Sequence, residues 1–318
     1  MPTGTQPLVA EATFRCQHRF PTVEIWAERV AIDEKLAKMD PSQISHALEA
    51  ARVTARELGF HIQDTVIIHN SDRVVVRLTP GDLLVRIAPQ SWNDDLRFEA
   101  EVARRLTATG SPVGTLAPRV DPRVYVRDDF ALTFWTYYAP VGDLAPADYA
   151  AALIKLHAGL RQIDLVAPPV TDRIAAWVAE VDAPDQNPDL SKPDRELLRR
   201  TFSQVQETMT RWDTKEQLLH GEPHPGNVLS TSHGPLFIDL HTCQRGPVEY
   251  DIAFVPDDVA AHCGDANPHL VHEFRVLMWA GFSTMRWRAA DQFPDRDYWR
   301  IEGMNRLHAA LGRAAPQL

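Results

Sequence analysis

The stretch Leu219-His-Gly-Glu-Pro-His-Pro-Gly-Asn-Val-Leu229 places an amide, Asn227, five residues after a carboxylate, Glu222. A second carboxylate, Asp239, follows the short apolar segment Leu236-Phe-Ile. Transfer of a phosphoryl group needs such residues, because one carboxylate takes the proton of the attacking hydroxyl while an Asn and a separate Asp hold Mg²⁺ on the nucleotide phosphates. The pattern therefore favours phosphoryl transfer from a nucleotide.

The five-residue step from base to amide is the spacing of the kinase catalytic loop. The ordered pieces His220-Gly-Glu222, Asn227, Ile238-Asp239 and Gly246-Pro-Val-Glu-Tyr-Asp-Ile-Ala253 resemble the aminoglycoside phosphotransferase and choline-kinase-like family. The resemblance extends over about residues 44–310. It implies an α+β, two-lobed protein-kinase-like fold, with a small antiparallel sheet lobe and a larger, mostly helical lobe. It also implies transfer of the γ-phosphoryl group of ATP or GTP to a hydroxyl of a small molecule, with antibiotic resistance as one outcome.

The same resemblance implies a role for each matching residue. Glu222 takes the position of the base, and Asn227 and Asp239 take those of the Mg²⁺ ligands. Asp251 matches the acidic residue that supports the catalytic loop from behind, and His220 matches the residue that orients this loop. His157, in Leu156-His-Ala158, is similar to a structural histidine of the family.

Position 222 departs from the family pattern, which usually has Asp there. Glu adds one methylene, about 1.5 Å of reach, and it keeps the ability to accept a proton. The geometry is what changes, because a displacement of about 1 Å can cost a hundredfold in rate. Either the loop is set back to fit the longer side chain or the chain is an impaired enzyme.

The first lobe has to supply a cation for the phosphates and a carboxylate that holds it. No lysine lies between Lys38 and Lys155, and Arg86 stands where the resemblance expects the strand lysine. Glu99 is the predicted partner, because it shares the inward face of the following helix, and Arg77 is the alternative cation. The ordinary explanation for Arg86 and Glu99 is a surface charge pair.

Two further segments are assigned to the nucleotide by position. Ser71, in the turn Asn70-Ser-Asp72, could offer its hydroxyl and backbone N–H to a phosphate, although this tripeptide is also a plain turn. The segment Thr136-Tyr-Tyr138 joins the lobes and would lie against the adenine ring of the nucleotide. Its backbone groups would bind the edge of that ring, so Thr136 and Tyr138 are predicted nucleotide contacts.

Hydrophobic spacing predicts the helices and strands. Together with the resemblance, which implies what each lobe does, it divides the chain into an N-terminal extension (1–43), a nucleotide-binding small lobe (44–138) and a helical lobe with the catalytic loop and substrate site (139–318). The small lobe has a predicted helix over 44–58, strands over 64–69, 73–78, 82–88, 124–126 and 130–138, and a helix over 94–107. The second lobe has predicted helices over 146–160, 173–181, 194–212, 269–290 and 298–310.

Composition limits the partners. The chain carries a net charge of −10, and the acidic excess lies in residues 139–318, which argues against a nucleic-acid partner. No apolar run is long enough to cross a membrane, and the N-terminus carries no visible secretory signal. The three cysteines are too scattered for a disulfide framework, so we expect a cytoplasmic protein.

The acidic excess is compatible with a cationic hydroxyl compound as substrate. Asp257, Asp258 and Asp265 are candidates for binding its ammonium groups, and the alternative interpretation is a solvated acidic loop. Trp279, Phe282, Trp287 and Trp299 could line a substrate pocket, but this helical spacing is more typical of a core.

Two other functions stay open at this stage. A kinase-shaped binding protein without transferase activity is suggested by Glu222 and by the missing strand lysine. A metal hydrolase could use His220, Glu222, His224 and His241, but Pro223 and Pro225 forbid the regular helix that would give these histidines one ligand face.

Overall fold

The first lobe is built on a five-stranded antiparallel sheet in the order β1-β2-β3-β5-β4. This computed structural model describes Met39 and residues 41–70, 73–211 and 215–312. The strands are β1 (Asp64–Asn70), β2 (Val74–Thr79), β3 (Leu83–Pro89), β4 (Tyr125–Arg127) and β5 (Phe130–Thr136). Each overlaps the segment in which the sequence predicts a strand.

Helix α1 (Pro41–Glu57) covers one face of this sheet and begins inside the predicted N-terminal extension. Strand β2 alternates buried and half-buried residues, so that Val74, Val76 and Leu78 all point into one core. Small alanines on α1, such as Ala47 and Ala51, let the helix lie close to these side chains. The alternate positions, which face away from this core, include Arg77 of β2 and Arg86 of β3.

Helix α2 (Asn93–Ala108) lies between β3 and β4 in the chain and packs against both lobes. Its apolar face, including Val102 and Leu106, packs in the same core as Leu153 and Leu156 of the next helix, α3 (Pro146–Leu160). Glu99 lies on this buried face and has no exposed surface. A carboxylate buried in this way needs partners of opposite charge.

The second lobe is mostly helical and contains two small two-stranded sheets. Its further helices are α4 (Val170–Val181), α5 (Lys192–Arg211), α6 (Val248–Ile252), α7 (Asp257–Ala260), α8 (Pro268–Arg286) and α9 (Arg296–Gly312). Strand β6 (Gln217–Leu219) pairs with β9 (Gln244–Gly246), and β7 (Val228–Thr231) pairs with β8 (Gly234–Phe237). The structure therefore has the predicted α+β arrangement of a small antiparallel sheet and a larger helical part.

Some boundaries differ from those predicted. Helix α4 begins at Val170, three residues earlier than predicted, because Pro169 ends the preceding extended segment and the next residues can start a helix. Helix α8 ends at Arg286, four residues earlier than predicted. Helices α6 and α7 are too short for hydrophobic periodicity to predict.

The main core of the second lobe lies between α4, α5, α8 and α9. Trp177 on α4 packs so closely on α8 that a Cβ at Gly281 would come within 2.6 Å of the indole ring. Trp279, Phe282 and Trp299 also belong to this core, as their helical spacing favoured, and Trp287 packs against it. Within the described residues, no helix combines the length and the apolar composition that crossing a bilayer requires.

Candidate active site

The segment that carries Glu222 leaves β6 through a glycine in the left-handed region. Gly221 has φ +93°, and a Cβ there would collide with the carbonyl group of Thr242. Only glycine adopts this conformation and approach readily. The chain therefore turns at Gly221, and Glu222 does not continue β6, which ends at Leu219.

Asp251 holds this turn from behind. Its Oδ2 accepts hydrogen bonds from the backbone N–H of His220 at 2.9 Å and from His157 Nε2 at 2.8 Å, and its Oδ1 accepts one from the N–H of Gly221 at 2.8 Å. Asp251 is fully buried. A buried carboxylate with three donors fixes the backbone just before Glu222.

Both ring nitrogens of His220 are used within the protein. Nδ1 accepts the N–H of Glu222 at 3.3 Å, and Nε2 lies 3.0 Å from the carbonyl oxygen of Ile238, to which it donates. Burial lowers the pKa of His220, which favours the neutral ring that this arrangement requires. His220 therefore ties the loop to the segment that carries Asp239 and has no ring nitrogen left for a substrate.

Glu222 is 1% exposed and pairs with Arg173, whose Nη1 donates to Oε1 at 2.5 Å. Its second oxygen, Oε2, is buried and has no hydrogen-bond partner among the described residues. Burial raises the pKa of Glu222 to about 7, although Arg173 acts to lower it. Asp239 and His241 lie near enough to influence the same pKa.

Asn227 follows in a short 3₁₀ turn, Pro225–Asn227. Its Nδ2 donates to the backbone carbonyl oxygen of Glu222 at 3.0 Å, which leaves the side-chain oxygen as the end of the amide that can bind a cation. The N–H of Ile238 donates to the backbone oxygen of Asn227 at 3.0 Å, so this turn is bound to the strand that leads to Asp239.

Asp239 has φ +69° and faces the cations of the first lobe. Arg73 Nη2 donates to its Oδ1, Arg86 Nη1 lies 3.6 Å from the same oxygen, and His241 Nδ1 lies 3.2 Å from it. Burial by itself would raise the pKa of Asp239, but Arg73, His241 and Arg86 hold it well below its usual range. Asp239 is therefore an ionised carboxylate at neutral pH.

Arg86 and Glu99 form a buried ion pair, in which Arg86 Nη1 donates to Glu99 Oε1. Arg73 Nη1 donates to Glu99 Oε2 at 3.3 Å, and the N–H of Leu240 donates to Oε1 at 3.1 Å. The guanidinium groups of Arg86 and Arg73 also lie over the rings of Trp135 and Trp92, at 4.7 and 5.6 Å. Two arginines and two carboxylates thus meet where the lobes face each other.

The segment that joins the lobes is tied to the first lobe by hydrogen bonds. Thr115 Oγ1 lies 3.1 Å from Thr136 Oγ1 and 2.8 Å from the hydroxyl of Tyr138. The N–H of Thr136 donates to Thr115 O, and the N–H of Tyr137 donates to Asp82 O, both at 2.9 Å. These two N–H groups are therefore hydrogen-bonded within the first lobe and are not available to bind the edge of a nucleobase.

The remaining predicted contacts are placed as follows. Arg77 lies over the ring of Tyr137 at 3.9 Å, beside the joining segment and not among the cations around Asp239. Asp257 pairs with Arg275, Asp258 accepts the N–H of Val259 at 2.9 Å, and Asp265 is exposed. Ser71 lies outside the described residues.

In the part of the chain that the structure describes, the histidines do not form the cluster that a metal hydrolase would use. His220 is committed to the loop, and His224 Nδ1 accepts the N–H of Gly226 at 3.1 Å. In the described part of the chain, the His, Cys, Asp and Glu ligand atoms that lie within 4.8 Å of one another are those of Glu99, Asp239 and His241. This group lies beside Arg73 and Arg86, which pair with its carboxylates.

Sequence reasoning missed Arg73 and Arg173. Arg73 directly follows the predicted turn Asn70-Ser-Asp72, a position where an arginine has no distinctive pattern, and Arg173 stands at the start of a predicted amphipathic helix. Nothing in the local sequence of Arg173 points to Glu222.

These features define a two-lobed, kinase-like fold with a cluster of buried charged side chains between its lobes, and comparisons with solved structures confirm this fold. The amicoumacin kinase hAmiN, solved in complex with AMP-PNP, Ca²⁺ and Ami, matches with a TM-score of 0.66 and 10% identity, over 85% of this chain and 96% of that one. The GDP complex of wild-type aminoglycoside 2'-phosphotransferase-IIIa has a TM-score of 0.61 and 15% identity, over 83% and 98%. A choline/ethanolamine kinase family protein from Mesorhizobium loti has a TM-score of 0.61 and 15% identity, over 84% and 94%.

The chain belongs to the phosphotransferase enzyme family, whose model matches residues 68–286. This confirms the resemblance drawn from the loop motif. A comparison with curated protein sequences finds no significant match.

Proposed function

We propose that this protein is a small-molecule kinase that transfers the γ-phosphoryl group of ATP or GTP to a hydroxyl group. The observation that carries the proposal is the meeting of Asp239, from the second lobe, with the guanidinium groups of Arg73 and Arg86, from the first. A site with two fixed cations and an ionised carboxylate suits a nucleotide triphosphate with its divalent ion.

Arg86 takes the role of the strand lysine that the first lobe lacks. An arginine is always charged and can bind two phosphate oxygens at once, so it neutralises phosphate charge as well as lysine does. Glu99 fixes its position through the buried ion pair. Arg73 adds a second cation on the same side, supplied by the residue that follows the turn expected to cover the phosphates.

The oxygen atoms that the site offers as metal ligands also fit Mg²⁺. The side-chain oxygen of Asn227 and the carboxylate of Asp239 are hard oxygen ligands of the kind that Mg²⁺ prefers, and the left-handed backbone at Asp239 keeps its carboxylate directed at the site. Asn227 and Asp239 would hold the ion. When bound, it would neutralise and orient the phosphates.

Glu222 is the proposed base. With a pKa of about 7 it is partly ionised at neutral pH, and Oε2 is an acceptor without a partner among the described residues. The hydroxyl oxygen forms a bond to the γ-phosphorus as the bond to the bridging oxygen breaks, its proton passes to Glu222, and the nucleoside diphosphate leaves. His220 and Asp251 act by positioning the loop.

The acceptor is an alcohol-bearing small molecule, and the acidic second lobe favours a cationic one. The structural neighbours named above are kinases of amicoumacin, aminoglycosides and choline or ethanolamine, so an amino alcohol or an aminoglycoside is the first class to test. Antibiotic resistance would follow for an aminoglycoside acceptor. We place the reaction in the cytoplasm, where the nucleotide is available.

A binding protein without transferase activity is the second candidate. The observation that favours it is the 1% exposure of Glu222, since an acceptor must reach the base. The two functions make opposite predictions for turnover while agreeing on nucleotide binding.

The test is a transfer assay with γ-labelled ATP or GTP and Mg²⁺, against kanamycin, choline, ethanolamine and water as acceptors, beside a thermal-shift titration with each nucleotide. A kinase binds nucleotide and labels an acceptor or releases phosphate. Nucleotide binding with no transfer to any acceptor supports the second candidate. Failure to bind either nucleotide contradicts both.

A further inference from the structure

Arg173 makes a contact with Glu222 that the loop motif does not explain. It lies in the first turn of α4, and its guanidinium donates to Oε1 of Glu222 at 2.5 Å. The arginine side chain is 18% exposed and the glutamate 1%. A pair this buried has a defined geometry, because a buried charge without its partner is strongly unfavourable.

One small sheet fixes the separation between the two residues. Strand β6 leads to Glu222 three residues after it ends, and its partner β9 holds the start of α4 through the N–H of Arg245, which donates to Pro168 O at 2.8 Å. Gly246 lets the helix come this close, because a Cβ there would lie 2.8 Å from Val170 Cγ2. The base and the arginine are therefore attached to the same rigid unit.

The guanidinium is also held on its other sides. It lies 5.8 Å from the ring centroid of Trp177, four residues further along α4. The fully buried Tyr250 hydroxyl lies close enough to interact with both Arg173 and Glu222. An arginine restrained by its helix and by an aromatic ring can restrain a carboxylate in turn.

We infer that Arg173 is the positioning residue of the reaction: it holds Oε1 of Glu222 and thereby presents Oε2 as the proton acceptor. This inference rests on the proposed function, in which Glu222 is the base. It also explains the departure from Asp at position 222, because the carboxylate of Asp would end about 1.5 Å short and lose the contact with Arg173. The hydroxyl proton goes to Oε2 as the new O–P bond forms and the nucleoside diphosphate leaves.

The experiment is a cycle of variants: Arg173→Met, Glu222→Asp and the two together, with Arg173→Lys as the conservative variant. Release of phosphate from Mg²⁺-ATP and Mg²⁺-GTP is measured with water as the acceptor. Transfer is measured with whichever of kanamycin, choline and ethanolamine the wild-type protein phosphorylates. We expect Arg173→Met to lower kcat about a hundredfold, with KM for the nucleotide within about twofold, since misplacing a base by about 1 Å costs this much. Arg173→Lys should recover kcat to within about tenfold of wild type, because it restores the charge without the planar fork.

The cycle separates positioning from folding. In the Glu222→Asp background, adding Arg173→Met should change kcat less than about threefold, because the contact is already lost. Arg288→Met is the matched control. Arg288 is about as buried as Arg173 and pairs with Glu180, which lies on α4 like Arg173. Its loss should leave kcat unchanged. If Arg173→Met does not fold, Arg173→Lys in the two backgrounds gives the same comparison.

Two results overturn the inference. Equal losses from the Arg173 substitution in both backgrounds, or wild-type kcat in Arg173→Met, would show that Arg173 does not act through Glu222, with the proposed function intact. A wild-type protein that binds nucleotide and transfers to no acceptor, water included, would instead refute the proposed function and this inference with it.

Discussion

Asp251 offers the sharpest test of how the catalytic loop is built, through the substitution Asp251→Asn. The carboxylate accepts three hydrogen bonds, two on Oδ2 from His220 N and His157 Nε2 and one on Oδ1 from Gly221 N. An amide has one acceptor oxygen. With that oxygen turned toward His220 and His157, its NH₂ group faces the N–H of Gly221, so one buried backbone donor is left without an acceptor.

The cost follows from these contacts. A buried donor left unsatisfied costs about 1–3 kcal/mol, and two bonds that pass from a charged to a neutral acceptor lose about 1 kcal/mol each. We therefore expect Asp251→Asn to lower the free energy of unfolding by about 3–5 kcal/mol. Because the broken bond lies next to Glu222, kcat should fall about a hundredfold even where the variant is folded.

Denaturant unfolding followed by tryptophan fluorescence measures the first effect, and the nucleotide transfer assay below the unfolding midpoint measures the second. Asp182→Asn is the matched control, since Asp182 makes a surface ion pair with Arg199 and should change stability by less than about 0.5 kcal/mol. An Asp251→Asn variant as stable as this control would refute the role of Asp251 as the support of the loop.

Four other outcomes are expected. Glu222→Gln should keep nucleotide binding, measured by calorimetry, but lower kcat by about 10²–10⁴-fold, the usual contribution of a general base; near-wild-type turnover would remove Glu222 from that role. Because burial raises the pKa of Glu222 to about 7 and the base must be ionised, kcat should rise with pH up to a plateau above about pH 7, and a flat profile from pH 5 to 9 would contradict this. Asp239→Ala should weaken binding of Mg²⁺-ATP at least about tenfold but not of ATP without Mg²⁺, since it frees Arg73 and Arg86 for phosphate; equal weakening of both would contradict its place beside the ion. Gly281→Ala should destabilise the protein by about 1–3 kcal/mol in denaturant unfolding, because its Cβ meets the ring of Trp177, and an unchanged midpoint would show that the two helices separate freely.

The loop motif was predictable because its chemistry is local. Asn227 follows Glu222 by five residues, and Asp239 follows a short strand. These separations along the chain do not depend on how the rest of the protein packs. The strands of the small lobe were predictable for a similar reason, since alternating burial in a segment such as β2 is written in residues two apart. The kinase-like fold followed from these pieces and their order, and the comparisons confirm it.

Other parts of the site depend on residues far apart in sequence. Arg73 and Asp239 are separated by 166 positions, and Arg173 and Glu222 by 49. No periodicity connects such pairs, so the sequence indicated Arg86 by its place on a strand but offered no reason to choose Arg73 or Arg173. The joining segment shows the same limit: its position was foreseeable, but the use of the Thr136 and Tyr137 N–H groups by Thr115 and Asp82 was not.

The sequence by itself therefore determined which groups are available for phosphoryl transfer and the order in which they occur, because local spacing and residue chemistry do not depend on how the lobes meet. Tertiary structure decided which cations face the two carboxylates and that Glu222 is buried against α4, because these contacts exist only once separate elements are packed together. A charged side chain that is buried must find a partner, and only the packed chain brings the partner within reach.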